Sequence, residues 1–170
     1  MTTESTDLQA VAVGDTLPPL EIAVDRARLV HYAGASGDRN RIHWDERFAT
    51  GVGLPDVIAH GMFTMGAAVE CVSAWCGDPA RILEYGTKFV GMVVVPRDTG
   101  ATVQVSGTVK KVDAEAGRAT VELAVTSGGA KVLGRALAVV STAPAAEATD
   151  AGPAEPADAA AAPADSTPSS

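Results

Sequence analysis

An unusually apolar run, from Gly61 to about Cys76, constrains the fold of this chain more than any other segment. It places apolar side chains nearly all the way around a helix, and Glu70 is its single charged residue. A helix without a polar face is buried on all sides, so we expect the rest of the chain to wrap around it. Glu70 then needs a partner or an exit to solvent.

Four strand candidates follow this helix, at residues 81–95, 102–112, 119–126 and 131–140. The second alternates regularly, with one predicted face made of Val103, Val105, Gly107 and Val109. Turn-forming residues at 113–118 and 127–129 separate the last three candidates, as expected of hairpins. One buried helix followed by antiparallel strands predicts an α+β domain, in which a sheet wraps around a helix.

Two shorter helices are predicted before the apolar run, each with an aspartate at its start. Residues 20–24 alternate as a strand does, and Asp25 then caps a helix that ends near Gly34 to Gly37. Asp45 is expected to cap a second short helix. The inner face of the first helix is expected to carry Leu29, Val30 and Ala33.

The last part of the chain has a different composition. Residues 143–170 are almost entirely Ala, Pro, Ser, Thr and acidic residues, with five acids and five of the ten prolines. Too little apolar bulk is present to offset the entropy of ordering, so we expect a folded domain at 1–142 and a disordered tail at 143–170. The tail carries −5 of the formal net charge of −8, which leaves about −3 on the domain.

Several classes of function are disfavoured by the same composition. No basic patch indicates a nucleic-acid partner, the N-terminus lacks the pattern of a signal peptide, and no apolar run has the length of a transmembrane helix. Cys71 and Cys76 lie on different sides of one predicted helix, so we expect free, buried thiols rather than a disulfide or a zinc site. These features predict a cytoplasmic protein.

Asp38 and His43 are five residues apart in a polar loop that follows the first predicted helix. A carboxylate and an imidazole at this spacing can hold one water molecule between an acid and a base, as addition or removal of water across a double bond requires. Asn40 lies between them, and asparagine commonly hydrogen-bonds its own loop, so we expect it to position the pair. Gly61 then opens the apolar helix, whose first N–H groups are free to bind a developing oxyanion.

Three segments, YAGASGDRNRIHW, IAHGMFTMG and WCGDP, resemble the MaoC-like, (R)-specific hydratase and dehydratase family. The resemblance runs from about Val13 to Val140. Within the family, the chain most resembles the catalytic B subunit of the actinobacterial (3R)-hydroxyacyl-ACP dehydratases that serve mycolic-acid elongation. One residue departs from the family pattern, because Arg41 stands where a proline usually follows the motif asparagine. Proline would stiffen this loop, so the departure concerns loop rigidity more than chemistry.

The resemblance implies a single hot-dog fold and a reversible reaction without a cofactor or metal. A (3R)-hydroxyacyl thioester, carried by acyl carrier protein, loses water to give a trans-2-enoyl thioester. The Gly61 N–H would bind the thioester oxygen with help from the helix dipole, and Met62 beside it would contact the substrate. His43 would handle the α-proton and Asp38 the water or hydroxyl. A second hot-dog subunit is also implied, as a heterodimer or otherwise a homodimer.

Four further residues near these motifs are expected to have structural roles. His60, next to Gly61, is predicted to be structural rather than catalytic. The large aromatic side chains are candidates for the core or an acyl channel, with the core preferred, and they are Trp44, Phe63 and Trp75.

Other functions remain open at this level. A stand-alone (R)-specific enoyl-CoA hydratase is the nearest alternative. A non-catalytic, acyl-binding hot-dog subunit is a second, although the presence of both Asp38 and His43 favours the catalytic member of a pair. A thioesterase on the same fold is a third, and hydrolysis of the thioester would reveal it. The sequence leaves open the acyl chain length, the carrier and the role of the tail.

Overall fold

The computed structural model describes residues 7–144, so the predicted tail, apart from Ala143 and Pro144, lies outside the described residues. The described residues form five strands, three α-helices and two 3-10 turns, in the order β1 (Thr16–Val24), α1 (Arg26–Ser36), a 3-10 turn (Arg41–His43), α2 (Glu46–Gly51), α3 (Gly61–Cys76), a second 3-10 turn (Pro79–Arg81), β2 (Ile82–Phe89), β3 (Ala101–Asp113), β4 (Arg118–Ser127) and β5 (Ala130–Ser141).

The five strands form one antiparallel sheet in the order β1-β3-β4-β5-β2. The two predicted hairpins connect β3 to β4 and β4 to β5, and α3 contacts all five strands. A sheet that curves around one long helix is the hot-dog fold that the resemblance implied, and the α+β prediction is confirmed.

The core lies between α3 and the inner face of the sheet. The predicted alternation of β3 is confirmed, and its buried residues pair with buried residues of β4, as in Val105 with Val125 and Val109 with Val121. Complete burial of such a side chain stabilises the fold by roughly 1.5–3 kcal/mol. The face in contact with α3 is thus almost entirely valine, leucine and alanine.

The prediction that α3 is buried on all sides is wrong for this chain by itself. Thr64, Ala68, Cys71, Val72, Trp75 and Cys76 face the sheet and are buried. A stripe spaced by four residues is exposed on the opposite side, and it consists of Met62, Gly66, Glu70 and Ala74. Because the sheet covers only one side of the helix, Glu70 reaches solvent.

The prediction for the inner face of α1 is correct at two of its three positions. Leu29 and Ala33 are buried, whereas Val30 is 54% exposed. Residues four apart share one face of a helix and adjacent residues point about 100° apart. Leu29 and Ala33 therefore define the buried face, and Val30 points away from it.

The strand candidate at residues 81–95 is also partly wrong, because β2 ends at Phe89. Gly91 passes so close to β5 that a Cβ atom there would lie 2.5 Å from the Lys131 carbonyl oxygen. The chain then leaves the sheet and pairs with the segment before α3: the Ala59 N–H donates to Val93 and the Val95 N–H donates to Val57. This pairing places residues 57–59 beside the loop that follows α1.

Cys71 and Cys76 are free and buried, as predicted. Burial raises the pKa of both thiols, that of Cys76 to about 11. A thiol with a raised pKa carries little thiolate at neutral pH and is therefore a poor nucleophile. Within the described residues, no helix is both long and apolar enough to span a membrane.

Candidate active site

The end of α1 shapes the loop that carries Asp38. Asp25 caps the start of α1 by accepting a hydrogen bond from the Arg28 N–H, and Gly37 ends the helix in the left-handed conformation at φ 76°. Both features were predicted. Because glycine adopts positive φ without strain, the chain turns sharply here and leaves the Asp38 side chain exposed.

Asn40 organises the rest of this loop, as predicted. Its side-chain oxygen accepts from the Ile42 N–H at 3.3 Å, and its own N–H donates to the Asp38 carboxylate at 3.1 Å. These two bonds cap a 3-10 turn whose last residue is His43. Asn40 thus links the two predicted catalytic residues through the backbone.

His43 is 7% exposed, and its ring orientation is fixed from the side of residues 57–59. Its Nδ1 lies 2.7 Å from the Ile58 carbonyl oxygen. A carbonyl oxygen only accepts hydrogen bonds, so Nδ1 carries the proton and Nε2 keeps the lone pair in the neutral ring. The Ile58 N–H in turn donates to the Ile42 carbonyl at 3.2 Å. His43 is therefore held as a base whose basic nitrogen is Nε2.

His60 lies against this pair, immediately before Gly61. Its ring stacks on the His43 ring at 3.7 Å between centroids, with 23° between the planes. Its Nε2 is 3.1 Å from the Asp38 backbone carbonyl. Burial lowers the pKa of His60, the hydrogen bond to Asp38 opposes that shift, and His43 lowers the pKa further. Burial, the largest of these effects, therefore favours the neutral form of the ring.

One potential ligand atom from each of Asp38, His43 and His60 lies within 4.8 Å of the others. Carboxylate and imidazole groups are common metal ligands, so the residue types in this cluster match those of a metal site. The lone pair of an imidazole nitrogen lies in the ring plane. Two nearly parallel planes that are stacked 3.7 Å apart do not meet at a nearby point, so one ion cannot lie in both. The arrangement of the two rings does not fit a metal bound by both histidines.

Gly61 begins α3, as predicted. No hydrogen bond of its N–H is found among the described residues, and the first N–H groups of a helix point outward with partial positive charge. A Cβ atom at Gly61 would lie 3.1 Å from the ring of Phe89. Glycine therefore keeps this helix start open, next to His60 and the Asp38–His43 pair.

A cavity of about 690 Å³ lies along the exposed stripe of α3. Met62, which is 59% exposed, and Phe63 form part of its wall. The other side is formed by Tyr32 of α1 and by residues of β1, namely Leu20, Glu21, Ile22 and Ala23. The predicted contact residue Met62 therefore lies on the wall of an open space that starts one residue from Gly61.

Arg41, the residue that departs from the family pattern, is itself anchored. Its guanidinium pairs with the Asp45 carboxylate at 2.6 Å and lies 4.5 Å above the Phe48 ring. Asp45 also caps α2, as predicted, by accepting from the Phe48 N–H. The Arg41 hydrogen bond and the Phe48 N–H hold the pKa of the Asp45 carboxyl below its ordinary value. The contacts of Arg41 thus hold the loop against α2 at the position where the family pattern has a proline.

The three large aromatic residues have different environments. Trp75 is 7% exposed, as expected of a core residue, and Phe63 packs against the core while lining the cavity. The prediction that Trp44 is in the core is wrong, because its side chain is 45% exposed. Its indole N–H donates to the Arg39 carbonyl at 3.1 Å, and this surface loop holds the ring outside the core.

The sequence interpretation missed two contributions to this site. The Ile58 carbonyl fixes His43, but a backbone group has no residue-type signal. His60 was predicted to be structural rather than catalytic, but its contacts with both Asp38 and His43 were not anticipated. Its position next to Gly61, in a segment before a buried helix, was the available signal.

The geometry defines a class of protein: a hot-dog domain in which an aspartate and a histidine lie beside an open helix N-terminus. Comparison with known proteins agrees, since the model of the MaoC like domain family matches residues 9–127. The chain belongs to this family.

Three relatives illustrate the range of similarity. A 3-hydroxyacyl-thioester dehydratase X of Mycobacterium tuberculosis is 35% identical over 86 residues, which cover 51% of this chain and 30% of that protein. A solved MaoC-like dehydratase has a TM-score of 0.77 and 40% identity over 79% of this chain and 41% of its own. An (R)-hydratase from A. caviae involved in PHA biosynthesis has a TM-score of 0.69 at 24% identity, over 78% of this chain and 98% of its own. The chain thus spans less than half the length of each of the first two relatives.

Proposed function

We propose that this protein is a hydro-lyase that reversibly removes water from (3R)-hydroxyacyl thioesters to give trans-2-enoyl thioesters in fatty-acid metabolism. One observation carries the proposal: His43, fixed by Ile58 with Nε2 basic, lies with Asp38 beside the open N-terminus of α3. Membership of the MaoC-like family and the similarity to a 3-hydroxyacyl-thioester dehydratase support the substrate class.

The proposed reaction starts at the α-carbon of the thioester. Nε2 of His43 takes the α-proton, and the negative charge moves onto the thioester oxygen, where the Gly61 N–H and the helix dipole stabilise it. In comparable enzymes, loss of one such donor costs about 3–4 kcal/mol of transition-state stabilisation. The C–O bond at the β-carbon then breaks, and the proton held by His43 is relayed through the Asp38 carboxylate to the leaving hydroxyl, so that water departs.

The reverse direction uses the same groups. The Asp38 carboxylate takes a proton from water as the water oxygen bonds to the β-carbon and relays it to His43, which returns a proton to the α-carbon. Both residues therefore end each turnover in their starting forms. A donor atom of each lies within 4.8 Å of the other, and the buried His43 is held in place against Ile58 and His60.

The acyl chain is proposed to follow the cavity beside Met62. This space begins next to Gly61, and its apolar wall includes Phe63, Leu20 and Ile22. Three charged residues also line it, namely Glu21, Arg28 and Glu70. A volume of about 690 Å³ is within the usual range for small-molecule sites. A hydrocarbon tail bound there would leave its thioester at the helix start.

We propose that a second hot-dog subunit completes the assembly, as a heterodimer or otherwise as a homodimer. Strand β2 is the last strand of the sheet, so one of its edges is unpaired within the described chain. Around it, a group of large apolar side chains is more than half exposed, namely Leu83, Phe89, Val90 and Met92. An unpaired strand edge with exposed apolar side chains is a common site of pairing with another chain.

The finer features of the proposal rest on the sequence resemblance. Acyl carrier protein is the proposed carrier, mycolic-acid elongation the proposed pathway, and the catalytic subunit of such a dehydratase the proposed role. The cytoplasm is the proposed location, and the buried free thiols of Cys71 and Cys76 suit a reducing compartment. Recovery of the protein only from membrane or extracellular fractions would contradict that location.

The domain boundary and the tail are part of the proposal as well. We assign 1–142 to the catalytic domain and 143–170 to a solubilising spacer. Arg81 donates to the Ala143 carbonyl at 2.7 Å, so truncation after Pro144 keeps this contact while removing the rest. The truncated chain should retain full activity, and a clear loss would assign the tail a role in the reaction.

Loss of enoyl-thioester absorbance with crotonyl-CoA, a longer enoyl-CoA or an enoyl-ACP tests the function. Wild type, Asp38→Asn and the exposed control Asp98→Asn are assayed alone and with a candidate hot-dog partner. Hydration that is lost only in Asp38→Asn supports a hydro-lyase, and dependence on the partner supports the heterodimer. Full activity alone on CoA substrates favours a stand-alone enoyl-CoA hydratase. No hydration in any mixture contradicts the proposal and favours a non-catalytic acyl-binding subunit.

A further inference from the structure

His60 occupies an unusual place for a polar side chain. It is 1% exposed, stacks on His43 at 3.7 Å, and has the Tyr32 ring against it at 4.8 Å with a tilt of 58°. An apolar side chain could fill a space between aromatic rings without losing contact with water, whereas a buried imidazole must be compensated by hydrogen bonds. The presence of a histidine at this position therefore indicates that its ring nitrogens have a role.

Among the described residues, the single hydrogen bond of the His60 ring goes to the active loop. Its Nε2 is 3.1 Å from the Asp38 backbone carbonyl, and since a carbonyl only accepts, Nε2 carries the proton. Its Nδ1 is buried and has no partner in the described part of the chain. The only hydrogen bond that this ring makes among those residues is therefore made to Asp38.

The same ring also restricts His43. The hydrogen bond from Nδ1 of His43 to Ile58 still permits rotation about that N–H···O direction, and a stacked ring opposes such rotation. His60 supplies that stacking surface while it holds the backbone of Asp38. One side chain thus sets the relative placement of the proposed acid and the proposed base.

We infer that His60 is a positioning residue, which keeps the Asp38 backbone and the His43 ring in the relative arrangement that proton transfer requires. This inference rests on the proposed function for its kinetic consequence. Its structural content is separate: His60 holds the Nε2–H form, donates to the Asp38 carbonyl, and restricts rotation of the His43 ring.

The kinetic test compares His60→Leu with His60→Gln. Leucine fills the space without a donor, whereas the glutamine amide nitrogen lies about where Nε2 lies and can still donate to Asp38. We expect His60→Leu to lower kcat by about 10- to 100-fold, the range caused by small misplacements of reacting groups, with little change in KM. His60→Gln should recover most of that loss. A wild-type kcat in His60→Leu, an equal loss of kcat in both variants, or a change in KM without a change in kcat would overturn the inference.

A second readout works without substrate, so it separates failure of this inference from failure of the proposed function. Long-range ¹H–¹⁵N correlation spectra of the imidazoles report which nitrogen carries the proton in the full chain at neutral pH. In wild type we expect Nε2–H for His60 and Nδ1–H for His43. In His60→Leu, His43 should keep the Nδ1–H form set by Ile58, but the carbonyl ¹³C signal of Asp38 should shift because its hydrogen bond to His60 is lost. His60→Gln should return that signal toward its wild-type position. The Nδ1–H form for His60, or an unchanged Asp38 carbonyl signal in His60→Leu, would overturn the inference even if no hydration is ever observed.

Discussion

Nδ1 of His43 lies 2.7 Å from the carbonyl oxygen of Ile58, and this bond decides which nitrogen of the histidine is basic. Ile58 belongs to a segment that pairs with residues 93–95, so this pairing, together with the bond from Ile58 to Ile42, fixes the position of its carbonyl. A preorganised base avoids the cost of reorientation during the reaction. The interior of the domain therefore sets the protonation form of a residue in the loop.

Replacing His43 by asparagine separates the hydrogen bond from the base. The asparagine amide can still donate to the Ile58 carbonyl, but no nitrogen with a lone pair remains at the position of Nε2. We expect kcat for enoyl-thioester hydration to fall by about 10²- to 10⁴-fold, the usual worth of a general base, with little change in the melting temperature. His31→Asn, at an exposed site on α1, is the matched control. A His43→Asn enzyme with near wild-type kcat would remove His43 from the mechanism.

Gly61 and Gly66 lie on the same helix, but an alanine substitution should affect the stability of the fold differently at the two positions. A Cβ at Gly61 would crowd the Phe89 ring at 3.1 Å, whereas no atom lies within 4 Å of a Cβ at Gly66. Alanine in an open helix interior is favoured over glycine by roughly 0.5–1 kcal/mol. We therefore expect Gly66→Ala to raise the free energy of unfolding, as measured by urea denaturation. Gly61→Ala should lower the free energy of unfolding or leave it unchanged.

The double variant Gly61→Ala/Phe89→Ala tests whether the Phe89 ring is the cause. Removing the ring should make Gly61→Ala less destabilising than it is in the wild-type background. An equal effect of Gly61→Ala in both backgrounds would place the crowding elsewhere, and a gain in stability from Gly61→Ala alone would contradict the contact.

Arg41 can be exchanged for the proline of the family pattern. The Arg41 N–H makes no hydrogen bond among the described residues, and proline is favoured at the first position of a helical turn. Asn40 before it has φ −58° and ψ 128°, which a following proline accepts. Arg41→Pro should keep hydration activity, while Arg41→Gly, which loses the Asp45 bond without gaining stiffness, should lower it. Equal activity of both variants would show that the stiffness of this loop does not limit turnover.

The Arg41–Asp45 pair also predicts a dependence of stability on pH. Since the hydrogen bond to Arg41 lowers the pKa of Asp45 in the folded chain, the unfolded chain binds this proton more readily. The resulting stabilisation is complete above the ordinary aspartate pKa, about 3.9, and is lost as pH falls through the lowered value. The urea midpoints of wild type and Arg41→Ala should thus converge as pH falls below 4. In an Asp45→Asn background, the Arg41→Ala effect should not vary with pH over this range, and variation there would assign the effect to another group.

Local rules were sufficient to predict much of this fold. The aspartates before α1 and α2 cap them as expected, Gly37 ends α1, and α3 has the predicted bounds. Each of these features depends on residues within one or two turns of each other. The alternation of β3 was equally readable, because one face of an antiparallel strand is buried and the other is exposed.

The wrong predictions share a different cause, which is dependence on distant parts of the chain. The exposed stripe of α3 exists because the sheet covers only one side of the helix, a fact that apolar composition does not encode. The strand after α3 ends at Phe89, and residues 93–95 pair with residues 57–59 instead of β5, a long-range pairing. Asp38, Asn40, His43, Gly61 and Met62 were named from the motif, but the contacts of His43 with Ile58 and His60 arise only from packing.

Incorporation of oxygen from H₂¹⁸O into the product of an enoyl thioester tests the central claim most directly. The wild-type chain, with its partner subunit if one is needed, is incubated with the substrate, and the product is analysed by mass spectrometry. A hydro-lyase places ¹⁸O on the β-carbon of an intact 3-hydroxyacyl thioester, and Asp38→Asn should not. Label found in a free carboxylate would reveal thioester hydrolysis instead, and that result, or no labelled product at all, would contradict the account.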